Sequence, residues 1–202
     1  IFTSSREVYG YQGKTIYHES DAGVRDVKNP YGASKAGGES LVEAYGECYG
    51  IRSCTLRLSN VYGRFDSYNR VIPLFIAQAA RGQDLTVYGD NKLLDFLYID
   101  DCVDALVRSV DRMNSVHGEV MNIGSGEGHS LLQLAELLVE TFDTDIDVTV
   151  DSNRPGEVDR YVANIDRSSR LLGFEPAWSL EDGLDETVTW YTERPELLDG
   201  IQ

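Results

Sequence analysis

Apolar and polar positions along the chain alternate between short runs and helical repeats. Pro30 suits a first helical position, where its missing N–H costs nothing. Leu41, Ala44, Tyr45 and Cys48 then recur at helical spacing, and Gly50 supplies a stop. The pattern predicts a helix over 31–49, then a short strand over 53–58. The NVYG segment after that strand reads as a loop at its C-terminal end. A second helix covers 71–81 and stops at Gly82, and LTVYG and DFLYI read as strands around the turn residues Gly89, Asp90 and Asn91.

Asp100 or Asp101 is expected to cap a helix carrying Val103, Leu106, Val107 and Val110. EVMNI is a strand, and Ser130 with Gln133 has capping-box spacing, opening a helix to about Phe142. IDVTV is a further strand, followed by the irregular stretch DSNRPGEVDRYVANID. Helices over 167–172 and 180–193 complete the chain. Strands alternating with helices predict an α/β fold with parallel pairing.

Composition narrows the class. The chain has 202 residues, 42% of them apolar, which suits one large globular domain or one and a half small ones. No run of about 18 apolar residues is present, so no membrane partner is expected, and no signal peptide is visible. The opening IFTSS reads as the end of a buried strand rather than a natural N-terminus. Cys48, Cys54 and Cys102 are odd in number and lack zinc-site spacing, and His18, His117 and His129 lie far apart. The reading is small buried thiols in a reducing cytoplasm, with no metal site.

The net charge is −16, and the only lysines are Lys14, Lys28, Lys35 and Lys92. Such a surface repels phosphate backbones, so nucleic acid is not an expected partner. The excess of carboxylates fits either a halophilic, high-salt cytoplasm or simply an acidic cytosolic protein.

Two segments share a Tyr-Gly-x-x-Lys pattern, YGASK at 31–35 and YGDNK at 88–92. On a helix, positions i and i+4 meet on one face. Tyr31 and Lys35 would therefore meet near a helix N-terminus, where the dipole and an adjacent ammonium both favour a phenolate. A plain amphipathic helix with a snorkelling lysine has the same spacing. Tyr88 and Lys92 flank a turn, and the second copy reads as a coincidence. Upstream, SSREVYG would follow a strand ending at Phe2. Hydroxyls at the C-terminal end of a parallel strand lie where α/β proteins bind ligands; turn chemistry is the simpler account of such a serine.

SSREVYG, NPYGASK, RLSNVYG, LTVYGD, DFLYIDD, MNIGSGEGHS and RPGEV occur in an order that resembles the extended short-chain dehydrogenase/reductases. Within these the chain is most similar to the NAD-dependent nucleotide-sugar epimerase/dehydratase group, of the UDP-glucose 4-epimerase type. The resemblance implies the C-terminal part of a Rossmann-type doubly wound parallel sheet with a small α/β substrate-binding domain. Residues 1–66, interleaved with about 90–125, would belong to the NAD-binding part, and 67–202 mainly to the substrate domain.

By the same resemblance Ser5 is the catalytic Ser/Thr, Tyr31 the base and Lys35 its partner and ribose ligand. Leu58 and Val61 would lie against the nicotinamide. Substrate contacts would come from Ser5, Arg6, Glu7, Asn60 and Arg154, with Val87 and Tyr88 lining the nucleotide base. The cofactor implied is NAD, with NADP left open, and the substrate a nucleotide sugar.

The sequence also departs from the family pattern. The G-x-x-G-x-x-G turn that binds the dinucleotide pyrophosphate is missing, and the glycine-rich GSGEGH at 124–129 has the wrong spacing for it. On the order of 100 residues of βαβ units would precede Ile1. An uncovered sheet edge beside IFTSS invites pairing with another chain, so a homo-oligomer, a dimer, is expected. Leu94 stands where the family usually has a phosphate-binding arginine. Arg6-Glu7 replaces the Asp-Glu of 4,6-dehydratases, and Asp166 sits where UDP-glucuronate decarboxylases place an arginine. The leading expectation is NAD-dependent C4 epimerisation of a nucleotide sugar. The alternatives are a nucleotide-sugar reductase, dehydrogenase or dehydratase, and a truncated non-catalytic fragment.

Overall fold

The computed structural model describes residues 1–23, 25–66, 69–89, 92–142, 145–152 and 160–201. Strand β1 (Phe2–Ser5) runs into a tight helical turn over Arg6–Tyr9. Strand β2 (Ile16–Tyr17), helix α1 (Pro30–Tyr49), β3 (Thr55–Leu58) and β4 (Asn60–Tyr62) follow. Next come α2 (Val71–Ala80), β5 (Leu85–Tyr88), β6 (Leu93–Leu94) and β7 (Phe96–Tyr98), then α3 (Ile99–Asp111) and α4 (Met113–Val116). The chain continues through β8 (Val120–Ile123), β9 (His129–Ser130), α5 (Leu131–Phe142) and β10 (Val148–Asp151). It closes with β11 (Arg160–Ala163), α6 (Asp166–Leu172) and α7 (Leu180–Thr192).

β3 lies between β1 and β8, all parallel, with Ser5 level with Leu58 and Leu58 level with Ile123. The alternation of strand and helix thus produces the expected parallel α/β arrangement. β4 pairs with β7 and β5 with β10, also parallel. A four-stranded sheet of order β2-β11-β6-β9 is parallel except at β6–β9.

One buried cluster, with Leu56, Leu97, Ala105, Met121 and Ile123 at 0% exposure, sits beneath β3 and β8. Each such large side chain contributes about 1.5–3 kcal/mol through its removal from water. A second cluster joins α2, α5 and α7 to β5 through Ile76, Leu85, Leu134 and Leu184. Tyr9, Tyr17 and Tyr161 form a third, with ring centroids 5.3–6.0 Å apart.

Several sequence expectations need correction. NVYG is not a loop, because Asn60–Tyr62 pairs in register with Phe96–Tyr98. Neither Asp100 nor Asp101 caps α3, whose N-cap is Tyr98. The Asp101 carboxylate instead accepts the backbone N–H of Ala177 (2.9 Å) and Trp178 (3.2 Å), fixing the approach to α7. The irregular stretch after β10 contains β11, and its RPGEV motif, with Arg154, lies outside the described residues.

The apolar repeat on α1 faces outward: Leu41 is 62% and Tyr45 53% exposed, and Cys48 is exposed as well, unlike the buried Cys54 and Cys102. α1 instead approaches the sheet through small residues. A side chain at Gly32 would stand 2.6 Å from the Glu7 carbonyl, and one at Gly38 would meet the Phe2 ring at 2.4 Å. The Ser130–Gln133 capping box forms as expected, with bonds of 2.8 and 3.0 Å.

Candidate active site

SSREVYG owes its shape to ordinary turn chemistry. Ser5 ends β1, and its Oγ accepts the N–H of Glu7 at 3.2 Å, capping the turn that follows. Accepting that bond leaves the Ser5 hydroxyl proton available to a ligand. Val8 and Tyr9 are buried, and Gly10 turns the chain at φ 58°. A side chain at Gly10 would also collide with the Asp26 carbonyl at 1.8 Å, so both conformation and space demand glycine.

NPYGASK opens α1. Asn29 is the N-cap, its Oδ1 accepting the Gly32 N–H at 2.7 Å. The same side chain donates Nδ2–H to the Glu7 carboxylate at 2.9 Å, joining the helix start to the Ser5 turn. Lys35 Nζ donates to the Thr3 carbonyl at 2.9 Å and stands 5.7 Å from the centre of the Tyr31 ring. Tyr31 itself is 55% exposed.

Ser5, Arg6, Glu7, Tyr31, Lys35, Leu58, Asn60 and Val61 all line one cleft of about 700 Å³. Arg6 Nε donates to Asn60 Oδ1 at 2.8 Å, and its guanidinium pairs with Glu7 at 3.1 Å. Asn60 Nδ2 donates to the Asp95 carbonyl at 2.8 Å. Both ends of the Asn60 amide are therefore held by the protein, and Asn60 sets the position of Arg6. The cleft is also lined by Arg70, Lys92, Leu94 and Leu131. Leu94 is buried and packs into the α2–α5–α7 cluster.

Two assigned residues are not brought to this cleft, and a third is not among the described residues. Val87 is fully buried in the core, Tyr88 pairs along β10 outside the cleft lining, and Arg154 falls outside the described residues.

Sequence reasoning missed several contributors. Lys92, from the second Tyr-Lys copy, is only 4% exposed and lines the cleft. Arg57 lies behind β1, with Nε and Nη2 donating to the two Glu39 oxygens at 2.9 and 2.7 Å and Nη1 to the Tyr9 hydroxyl at 3.1 Å. Burial alone would lower its pKa, but Glu39 and Tyr9 outweigh this and hold the guanidinium charged. Ser4 donates to the same Glu39 carboxylate, so this bidentate pair ties α1 to β1 and β3. Burial pushes the Tyr9 phenol up to about 12.

The glycine-rich GSGEGH closes on the protein itself. The fully buried Asp95 carboxylate accepts Ser125 N (2.8 Å), Ser125 Oγ (2.9 Å), Gly126 N (3.1 Å) and Ala163 N (3.1 Å). Burial raises the Asp95 carboxyl, and these donors pull against it. The only sequence hint of this role is an aspartate directly before an apolar strand.

Part of this lining fits the nicotinamide end of a dinucleotide. Leu58 and Val61 offer an apolar face, while Tyr31 and Lys35 offer the polar groups that ribose hydroxyls need. Among the described residues no group of three His, Cys, Asp or Glu side chains could hold a metal, and no helix is long and apolar enough to cross a membrane.

Residues 1–124 match the model of the NAD dependent epimerase/dehydratase family. Over its whole length the chain is 31% identical to a dTDP-glucose 4,6-dehydratase of Xanthomonas campestris, spanning 60% of that protein. It resembles the crystal structure of UDP-glucose 4-epimerase from Thermotoga maritima with UDP-glucose, at a TM-score of 0.87 and 32% identity, over 95% of this chain and 62% of that one. It also resembles a UDP-glucuronic acid 4-epimerase from Bacillus cereus in complex with UDP-glucuronic acid and NAD, at a TM-score of 0.84 and 30% identity, over 95% and 60% of the two chains. The chain thus spans about 60% of the length of each of these relatives.

Proposed function

The chain belongs to the NAD-dependent epimerase/dehydratase family, and from that premise we propose that it serves the C4 epimerisation of a nucleotide sugar. It would do so within an enzyme that also supplies the glycine-rich pyrophosphate turn missing from these 202 residues. Bound NAD supplies reversible hydride transfer at the sugar carbon. Tyr31, as phenolate, takes the proton of the C4 hydroxyl and later returns it. Lys35, anchored on the Thr3 carbonyl, keeps a positive charge beside that phenolate. Ser5 donates its hydroxyl proton to the same sugar oxygen and stabilises the charge that develops there. Leu58 and Val61 exclude water from that face. The cleft of about 700 Å³ leaves room for a keto sugar to turn over before it is reduced on its other side.

The observation that carries epimerisation over dehydration is the residue next to Ser5, where Arg6 stands in place of the Asp of the 4,6-dehydratase Asp-Glu pair. Glu7 is held by the Arg6 guanidinium and by the Asn29 amide. Arg6 has no acidic proton to give a leaving hydroxyl, and its guanidinium is committed to Asn60 and Glu7. Tyr31→Phe is the direct test of the base. Turnover should fall by about 10²–10⁴ with an unchanged melting temperature, since Tyr31 is 55% exposed. Near-normal turnover would remove Tyr31 from the mechanism.

A further inference from the structure

Two side chains tie α1, the helix of Tyr31, to the end of β1 that carries Ser5. Lys35 reaches the Thr3 carbonyl one turn beyond Tyr31. Asn29 makes the other tie, from the N-cap position just before α1. Between the two, α1 lies close against the Ser5 turn, since a side chain at Gly32 would stand 2.6 Å from the Glu7 carbonyl. Tyr31 is 55% exposed, so packing does not hold its ring, and its aim depends on how the helix start is held.

Asn29 does more than a helix cap requires. Capping uses only Oδ1, which accepts the Gly32 N–H at 2.7 Å, and a serine or aspartate oxygen caps equally well. The remaining Nδ2–H donates to the Glu7 carboxylate at 2.9 Å. Glu7 is held from its other side as well. The Arg6 guanidinium pairs with it at 3.1 Å, and Arg6 in turn donates to Asn60 at 2.8 Å. The Glu7 N–H donates to Ser5 Oγ at 3.2 Å. Glu7 thus meets the helix of the base through its carboxylate and the hydroxyl donor through its amide.

We propose that Asn29 is a positioning residue: through Glu7 it fixes the first turn of α1, and with it Tyr31, relative to Ser5. The inference rests on the roles given to Tyr31 and Ser5 above. Both groups must reach one sugar oxygen, and a misplacement of about 1 Å can cost on the order of 10² in rate. That geometry matters most in the transition state, so its loss appears in kcat rather than in KM.

The test is steady-state kinetics and thermal melting of the intact, NAD-loaded enzyme on the UDP- or dTDP-hexose it turns over fastest. Asn29→Ser keeps a capping oxygen and removes the tie to Glu7. It should melt as the unsubstituted enzyme does, with kcat lowered about ten- to hundredfold and KM within about threefold. Asn29→Asp also keeps the cap but sets a carboxylate against Glu7. Its kcat should fall at least as far, and it carries the test if Asn29→Ser does not fold. Glu7→Ala cuts the same tie from the other end. Adding Asn29→Ser to it should therefore lower kcat by less than about threefold more. A capped variant with kcat within about threefold of normal overturns the proposal and leaves Asn29 a helix cap. Additive losses in the double variant overturn it too, as does a kcat loss matched by a fall in melting temperature. Tyr31→Phe, measured alongside, separates this proposal from the reading beneath it. A slow Tyr31→Phe with a normal Asn29→Ser overturns the proposal alone. Normal turnover in Tyr31→Phe, or no turnover of any such sugar by the unsubstituted enzyme, overturns both.

Discussion

Lys35 Nζ donates to the Thr3 carbonyl across 2.9 Å, tying the helix that carries Tyr31 to the strand that ends at Ser5. One side chain thus links the helix of Tyr31 to the strand of Ser5, the base and hydroxyl donor of the proposed mechanism, and also places charge beside the phenol. Lys35→Met removes both effects. Turnover of the NAD-loaded enzyme should fall by at least about 10², while stability changes by less than about 1 kcal/mol because the lysine is only half-buried. Steady-state kinetics and a thermal melt on the same sample check the two halves separately. A large loss of stability with modest kinetic change would make Lys35 a structural clamp only.

Asp95 should matter more for folding than its single charge suggests. Four donors from the GSGEGH loop and β11 converge on it. Asp95→Asn turns one acceptor into a donor facing other donors, and each buried group left unmatched costs about 1–3 kcal/mol. A destabilisation of about 2–4 kcal/mol in urea unfolding is expected. A change below about 1 kcal/mol would show that the loop does not depend on the carboxylate.

The tyrosines set a limit on alkaline stability. Burial pushes both Tyr9 and Tyr191 up to about 12. In the unfolded chain the same phenols titrate near 10, so the unfolded state loses protons first as pH rises. Their stabilising contribution is whole below about pH 10 and is lost as pH climbs through 12, on the order of 1 kcal/mol per pH unit for each group. Tyrosinate absorbance should show late-titrating phenols among the 12 tyrosines, with denaturant midpoints falling over the same window. Flat midpoints from pH 10 to 12 would contradict the burial argument.

The charge of −16 should make the fold salt-dependent. Self-repulsion among carboxylates is screened as ionic strength rises. The melting temperature is therefore expected to increase from dilute buffer to molar KCl. A flat or falling melting temperature would identify the acidic composition as unrelated to high-salt conditions.

The sequence made the Ser5–Tyr31 part of the cleft legible because each of its motifs is local. The i,i+4 spacing of Tyr31 and Lys35, the Pro30 start and the serine at a strand end are all short-range signals, and the structure gathers them around one cleft. The place of Lys92 was not legible. Lys92 follows a turn, where no helix gives its spacing from Tyr88 a meaning, and it leads into β6, which pairs in parallel with β11, residues 93–94 against 160–161. A two-residue strand leaves no pattern to read. The α1 repeat misled for a related reason: helical periodicity reveals an apolar face but not whether it is covered, and here the sheet receives Gly32 and Gly38 while Leu41 and Tyr45 face outward. NVYG was too short to announce a strand, which only its pairing with β7 makes regular.

The most direct measurement of the epimerase reading is product analysis by proton NMR. The NAD-loaded enzyme is incubated in turn with UDP- and dTDP-hexoses of either C4 configuration. The account predicts that at least one of these is converted to a mixture of C4 epimers, with no net change in NAD and no new methyl signal. A 4-keto-6-deoxy product, recognised by its C6 methyl resonance, would contradict the argument from Arg6 in place of the dehydratase acid and make the protein a dehydratase. Stoichiometric consumption of reduced cofactor would make it a reductase.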